Sequence, residues 1–271
     1  MRLPFAKMTG AGNDFVMLDN RDGTLSLDRD GVAWLCNRHF GIGADGLMLV
    51  EAGDDGGAEF VMRYFNADGG EAEMCGNGAR CFARYARMLT GEPGKPVAFQ
   101  TRAGLVRAEF DGDLVAVDLT PPLGLRLDGA IQTRHGGVLE IHDCNTGVPH
   151  AVVFVDDADR AMVAELGREI RFHPNYQPSG TNVNFVQVLG EDSIRVRTYE
   201  RGVEGETLAC GTGVAASAII SHFARGVALP VRVRVQSGED LEVDFGSDGE
   251  SVTDVRLKGP ATLVFTGEIE V

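Results

Sequence analysis

Val61–Ala83, VMRYFNADGGEAEMCGNGARCFA, and Val196–Ala218, VRTYERGVEGETLACGTGVAASA, are the stretches that decide the fold. A shift of 135 residues lays Val61, Tyr64, Gly70, Glu71, Cys75, Gly76, Gly78 and Ala83 on Val196, Tyr199, Gly205, Glu206, Cys210, Gly211, Gly213 and Ala218. In both, an extended run ends in tyrosine, a Gly/Glu loop follows, and Cys-Gly-x-Gly opens a helical pattern. Repetition of this kind marks one supersecondary unit used twice.

Outward from these stretches, short apolar runs between turn signals predict strands: LPFAKM from Leu3, FVMLDN from Phe15, GLMLVEA from Gly46, EFVMRYF from Glu59, VAFQT from Val97, LVRAEF from Leu105 and LVAVDL from Leu114. Helices are predicted over 28–40, 76–89, 157–171 and 211–225. The last carries no charge until Arg225, and a helix apolar on all sides is a buried one. A curved sheet wrapped around it is the simplest cover. Both halves repeat the order hairpin, helix, two strands, Cys-led helix, three strands, so two homologous domains are expected, 1–120 and 121–260. Paired prolines in Thr120-Pro121-Pro122-Leu123-Gly124 mark the join. The β-like run 261–271 is expected to return and complete the first domain, tying the two together and closing a cleft between them.

The chain has 271 residues, with 40 acidic against 25 basic and a net charge of −15, which disfavours nucleic acid and anionic membrane as partners. Its 44% hydrophobic content suits soluble domains with a sizeable core, and no apolar run approaches the ~18 residues of a membrane span. Five cysteines, at 36, 75, 81, 144 and 210, form an odd set with no signal-peptide pattern before them. Reduced thiols in the cytoplasm are the expectation.

A thiol at a helix N-terminus faces unpaired backbone N–H groups and the positive end of the macrodipole, which favours the thiolate. Cys75 and Cys210 are therefore candidate bases, and the same N–H groups can receive a substrate carboxylate where glycine lets the backbone approach. Inverting an amino-acid α-carbon needs one group to take a proton and another, on the opposite face, to return one. Two matched thiols suit that task, and no cofactor is required. Cys36, Cys144 and Cys81 read as buried small apolar residues. Gly41-Ile42-Gly43-Ala44-Asp45-Gly46 matches G-x-G-x-x-G but follows a helix and precedes a strand, so it reads as a turn. There is no Walker lysine, no C-x-x-C and no histidine cluster with metal spacing. Histidines 39, 135, 142, 173 and 222 read as surface or satisfied core residues, and Asp156-Asp157 as a helix start.

At these residues the chain resembles the diaminopimelate epimerases. The likeness is carried by GAGNDF at 10–15, FGIGADG at 40–46, YFNADG and MCGNGAR within 64–80, NTGVPH at 145–150, GTNVNF at 180–185, YERG at 199–202, LACGTG at 208–213 and GPATLVFTGEI at 259–269. The resemblance implies an α/β (α+β) fold of two pseudo-symmetric domains, each a curved, mostly antiparallel sheet around a central helix. It implies PLP-independent interconversion of LL- and meso-diaminopimelate, in the synthesis of lysine and peptidoglycan precursors, without cofactor or metal. Cys75 would be the proton donor and Cys210 the acceptor, with roles exchanged in reverse. Asn13, Asn66, Asn182 and Arg201 would hold the substrate's polar ends, and Gly76, Asn77, Gly211 and Thr212 its reacting carboxylate. His150 and Glu200 would tune the thiols, and Glu200 would also hold the reacting amine. A homodimer is implied.

Two positions tied to substrate contacts depart from the family pattern. Val148 stands where many members have asparagine, and either Asn145 supplies the missing amide or the contact is lost; Gly46 stands where some have glutamine. Phe265 replaces a tyrosine that relatives carry at a dimer interface. The rival readings are a proline or hydroxyproline racemase, an isomerase or lyase of the same fold with a carboxylate base, a non-catalytic amino-acid binder, and a thiol redox sensor using Cys75 and Cys210 as a disulfide pair. Arg201 and the asparagines favour a long substrate with a second charged end over proline.

Overall fold

The computed structural model describes residues 2–53, 57–248 and 251–270. The chain divides into two compact units, Met1–Asp118 with Lys258–Val271, and Leu119–Leu257. The first unit contains β1 (Arg2–Gly10), β2 (Asn13–Asp19), α1 (Arg29–Cys36), β3 (Gly46–Ala52), β4 (Phe60–Asn66), β5 (Glu71–Ala72), α2 (Gly76–Thr90), β6 (Val97–Thr101), β7 (Gly104–Asp111) and β8 (Leu114–Asp118). The second contains β9 (Leu123–Thr133), β10 (Gly137–Asn145), β11 (Pro149–Phe154), α3 (Val163–Arg171), β12 (Asn182–Gly190), β13 (Ser193–Glu200), β14 (Gly205–Thr207), α4 (Gly211–Arg225), β15 (Val231–Arg234) and β16 (Asp240–Ser247). The chain then passes through β17 (Val252–Pro260) into β18 (Thr262–Glu270) of the first unit.

In the first unit β18 pairs antiparallel with β1, β1 antiparallel with β2, β2 parallel with β3, β3 antiparallel with β4, and β4 parallel with β6. In the second unit β9, β10, β11, β12, β13 and β15 follow the same sequence of pairings and directions. The C-terminal strand β18 thus occupies in the first sheet the place that β9 occupies in the second.

Each sheet buries both faces against helices. Leu47 and Leu49 of β3 join the apolar cluster with Val32, Leu35 and Cys36 of α1. Met48, between them, points the opposite way, toward Gly78 of α2, as strand alternation requires. In the second unit Val163, Leu166 and Ile170 of α3 pack on Val183 and Phe185 of β12. Helix α4 lies against β9 to β13, β15 and β16, with Val214 to Ser221 all buried, which is what its uncharged sequence demands. No helix among the described residues is long and apolar enough to cross a membrane.

Two helices are shorter than the sequence predicts. The 28–40 helix stops at Cys36, because Asn37 turns extended and its side chain accepts the N–H groups of His39 and Phe40. Ile42 and Gly43 then fold back to donate to the Leu35 carbonyl; a Cβ on Gly41 would lie 2.0 Å from the Trp34 oxygen. The 157–171 segment is a 3-10 turn, Ala158–Arg160, followed by α3, because Ala161 is extended. Asp157 caps that turn by accepting from Asp159 N–H.

Candidate active site

Cys75 and Cys210 are the N-cap residues of α2 and α4, both in extended backbone conformation. In the first unit the Cys75 sulfur itself caps the helix, accepting from Gly78 N–H at 3.4 Å. Asn13 follows directly on the β1–β2 turn, where Ala11 and Gly12 have φ of 57° and 95°; a two-residue hairpin loop with both φ positive matches the strand twist. Gly10, just before it, packs so closely on α2 that a Cβ would meet the Asn77 carbonyl at 2.9 Å. Asn77 Nδ2 donates to Asn13 Oδ1 at 2.7 Å, and Asn13 Nδ2 to Asp45 Oδ2 at 3.1 Å.

Behind this pair sits Arg80, fully buried one turn into α2. Its guanidinium donates to Asn77 Oδ1 at 3.0 Å, the Gly76 carbonyl at 3.4 Å and the Pro260 carbonyl at 3.3 Å. The Asn77 oxygen is therefore held inward and its nitrogen outward. Asp14 adds a charged anchor beside Asn13: burial would raise its pKa, but hydrogen bonds from Arg38 and Lys7 hold it down at about 2. Asn66 closes β4 opposite Gly46 and accepts from Tyr64 Oη at 3.1 Å. A Cβ at Gly46 would lie 2.7 Å from the Tyr64 ring, so that ring fills the space a side chain at 46 would need.

The second unit meets the same sequence with different partners. Cys210 makes no capping bond to the helix; its sulfur lies 3.5 Å from Thr212 Oγ1. Thr212 Oγ1 is 3.0 Å from His150 Nε2, and His150 Nδ1 is 3.1 Å from Asn184 Nδ2. Asn182 takes Arg201 N–H on Oδ1 at 2.8 Å and donates to the Pro149 carbonyl at 3.2 Å, which places Arg201 and the approach to His150. Arg201 Nη1 donates to the Ser179 carbonyl at 3.2 Å, and Glu200 precedes it at the half-buried end of β13. Gly211 and Thr212 form the first turn of α4, where Thr212 O accepts from Thr146 Oγ1 at 2.9 Å. Asn145 spends its oxygen on Gly147 N–H at 3.0 Å and lines, with His150, Pro149, Tyr176 and Thr181, a cavity of about 420 Å³.

Burial sets the protonation of this unit. His150 is driven from its ordinary 6.5 down to about 3 by desolvation, with the charge of Arg201 acting in the same direction. A folded pKa below the unfolded one means the unfolded chain binds more protons below about 6.5, so the stability is present above that pH and lost as pH falls toward 3. Urea unfolding between pH 7 and 5 should show stability falling by roughly 1 kcal/mol per pH unit below about 6 from this group, and a flatter profile in His150→Gln. An equal slope in that variant would show that His150 is not buried neutral.

Cys36 and Cys144 are pushed up to about 12 by burial and stay thiols, and Cys81 is fully buried against β1. Asp128, Glu140 and His142, which no sequence spacing links, come together across the β9–β10 pairing. Arg225 already bonds Glu140 Oε2 at 2.7 Å and lays its guanidinium over Phe154, a positive charge beside the cluster that competes with a cation for Glu140. That cluster is a poor metal centre. Asn184, Thr198 and Arg80 are side chains in the site that no motif reading singled out. The available signal was spacing: Asn182 and Asn184, two apart on a strand, share a face.

The sequence profile of the family described as diaminopimelate epimerase matches residues 5–123 and 144–264. A diaminopimelate epimerase of Aquifex aeolicus is 46% identical, covering 98% of both chains, and one of Chromobacterium violaceum is 42% identical over the full length of both. Among solved structures, a hydroxyproline epimerase from Agrobacterium vitis superposes with a TM-score of 0.73 at 18% identity, covering 99% of this chain and 92% of that one. A phenazine biosynthesis protein of the PhzF family from Bacillus anthracis gives 0.76 at 14% identity over all of both chains. The last two share the fold alone, whereas the profile and the full-length relatives show that the chain belongs to the diaminopimelate epimerase family.

Proposed function

We propose that the protein is a cofactor-independent epimerase that interconverts LL- and meso-diaminopimelate, with Cys75 and Cys210 as its acid and base. The observation that carries this reading is that both cysteines stand at the N-cap position of counterpart helices in two units of one topology. In the LL-to-meso direction the Cys210 thiolate removes the α-proton and the Cys75 thiol returns one. The two sulfurs exchange protonation states, and the next turnover needs them exchanged back. The first-turn N–H groups of α2 and α4, at Gly76, Asn77, Gly211 and Thr212, have no partner inside a helix and suit the carboxylate, where charge grows as the carbanion forms. Asn13, Asn66, Asn182 and Arg201 hold the polar ends, Arg201 by its planar fork, and Glu200 holds the reacting amine. His150 and Glu200 tune the thiols.

The mechanism needs reduced thiols, which supports the cytoplasm as its compartment. The formal charge of −15 argues against a nucleic-acid partner. Leu263, Val264 and Phe265 on β18 stay exposed, apolar surface that a second copy would cover in a homodimer. Proton NMR of LL-diaminopimelate with reduced, PLP-free protein in D2O should show loss of the α-proton signal and growth of the meso isomer, while L-proline in parallel stays unchanged. Exchange in proline alone would replace the reading with a racemase. Light scattering on the same sample should give twice the mass of one chain, and the mass of a single chain would refute the dimer.

A further inference from the structure

The thiol in the second unit is served by a rotatable hydroxyl, which has one hydrogen and gives it either to the sulfur or to its other neighbour, His150. Cys75 meets no such choice, because the backbone N–H of Gly78 can only donate. For Cys210 the direction of Thr212 Oγ–H is decided farther back, at Asn184 on β12. Asn184 is fully buried, and a Cβ on Gly213 would lie 2.5 Å from its Oδ1, so the second glycine of Cys-Gly-x-Gly keeps room for it.

The orientation of that amide follows from its neighbours. One atom lies 3.3 Å from the Ala151 carbonyl, which can only accept, so that atom is Nδ2. Its other N–H is then directed to His150 Nδ1, 3.1 Å away, while Oδ1 accepts from Thr198 Oγ1 at 2.9 Å. An Nδ1 that accepts leaves the single proton of a neutral imidazole on Nε2. That N–H faces Thr212 Oγ1 at 3.0 Å, so the hydroxyl accepts there and its own hydrogen is free for the Cys210 sulfur at 3.5 Å.

We propose that Asn184 is a positioning residue for Cys210: held by the Ala151 carbonyl and Thr198, it keeps His150 in the Nε2–H form and so commits the Thr212 hydroxyl to donate to the sulfur. The proposal deepens the two-thiol reading of the site and rests on it. Burial keeps His150 neutral and Arg201 adds to the effect, so the relay stays set through the working pH range. A donor aimed at the sulfur stabilises thiolate over thiol.

Asn184→Asp tests it, because a carboxylate can only accept. A neutral imidazole then presents Nδ1–H to it, Nε2 becomes an acceptor, and the Thr212 hydrogen turns from the sulfur to the ring. Iodoacetamide alkylation followed peptide by peptide should show the Cys210 midpoint rising by about one to two pH units, with that of Cys75 unmoved. The kcat should fall by more than KM changes. In the unaltered protein, 15N NMR of labelled histidine should show His150 neutral with the proton on Nε2 across about pH 5 to 9. An Nδ1–H tautomer there, or an unmoved Cys210 midpoint in folded Asn184→Asp, overturns the proposal. If Asn184→Asp does not fold, Thr198→Val should raise the Cys210 midpoint by a smaller step, and no rise refutes it equally. Absence of α-proton exchange in the unaltered protein would instead sink the two-thiol reading, while the tautomer still reports on the relay.

Discussion

Cys210→Ala and Cys75→Ala are each expected to lower epimerisation by about a thousandfold or more, the range a positioned acid or base contributes. The loss should not be uniform across reactions. With one thiol gone, the other can still remove the α-proton on its own side and return deuterium to the same side. Cys75→Ala, keeping Cys210, should therefore wash deuterium into LL-diaminopimelate without making meso product. Cys210→Ala should do so only from the meso isomer. Neither variant should unfold, since Cys210→Ala removes no helix-capping bond and Cys75→Ala removes a single one, from Gly78 N–H, at a cost of about 1 kcal/mol. Retention of epimerisation within tenfold of the unaltered protein in either variant would refute the mechanism, whereas retained binding with no exchange in the intact protein would mark a binder.

Arg80→Met is expected to give the largest loss of stability. Methionine fills much of the volume, but the Asn77 side-chain oxygen and the Gly76 and Pro260 carbonyls lose a buried donor together. Leaving such acceptors dry costs about 1–3 kcal/mol each at most, and partial relaxation brings a reasonable total to about 3 kcal/mol. For a chain of this length that lowers Tm by about 6–10 °C in calorimetry. Activity should fall as well, because Asn77 then loses the contact that holds its nitrogen toward Asn13. A Tm within about 2 °C of the unaltered protein would show that Arg80 is not the anchor of this turn.

The placement of both cysteines was legible because it is local. Cys-Gly-x-Gly opens a helix at both of its occurrences, which lie at matched distance in the two repeats. The sheath around α4 was legible for the same kind of reason: fifteen residues without an early charge cannot sit in water as a helix. The limits of α1 and α3 were not, because apolar periodicity runs on through Asn37 and Ala161, where the backbone turns extended and local hydrogen bonds replace the helical ones. Cys36 ends its helix where the chain must fold back over Leu35, and Ala161 breaks a helical pattern that periodicity alone would continue.

Within the site, sequence by itself determined which side chains could act as acid and base and which helix ends present them. Both facts follow from residue type and short-range hydrogen-bonding preference. Only the tertiary structure decided what each thiol meets: a backbone N–H for Cys75, and for Cys210 a hydroxyl backed by residues 150, 184 and 198. Those three come from β11, β12 and β13, and their contact depends on strand register. Register is set by which apolar faces must be buried together, a condition on the whole sheet that no single stretch of chain contains.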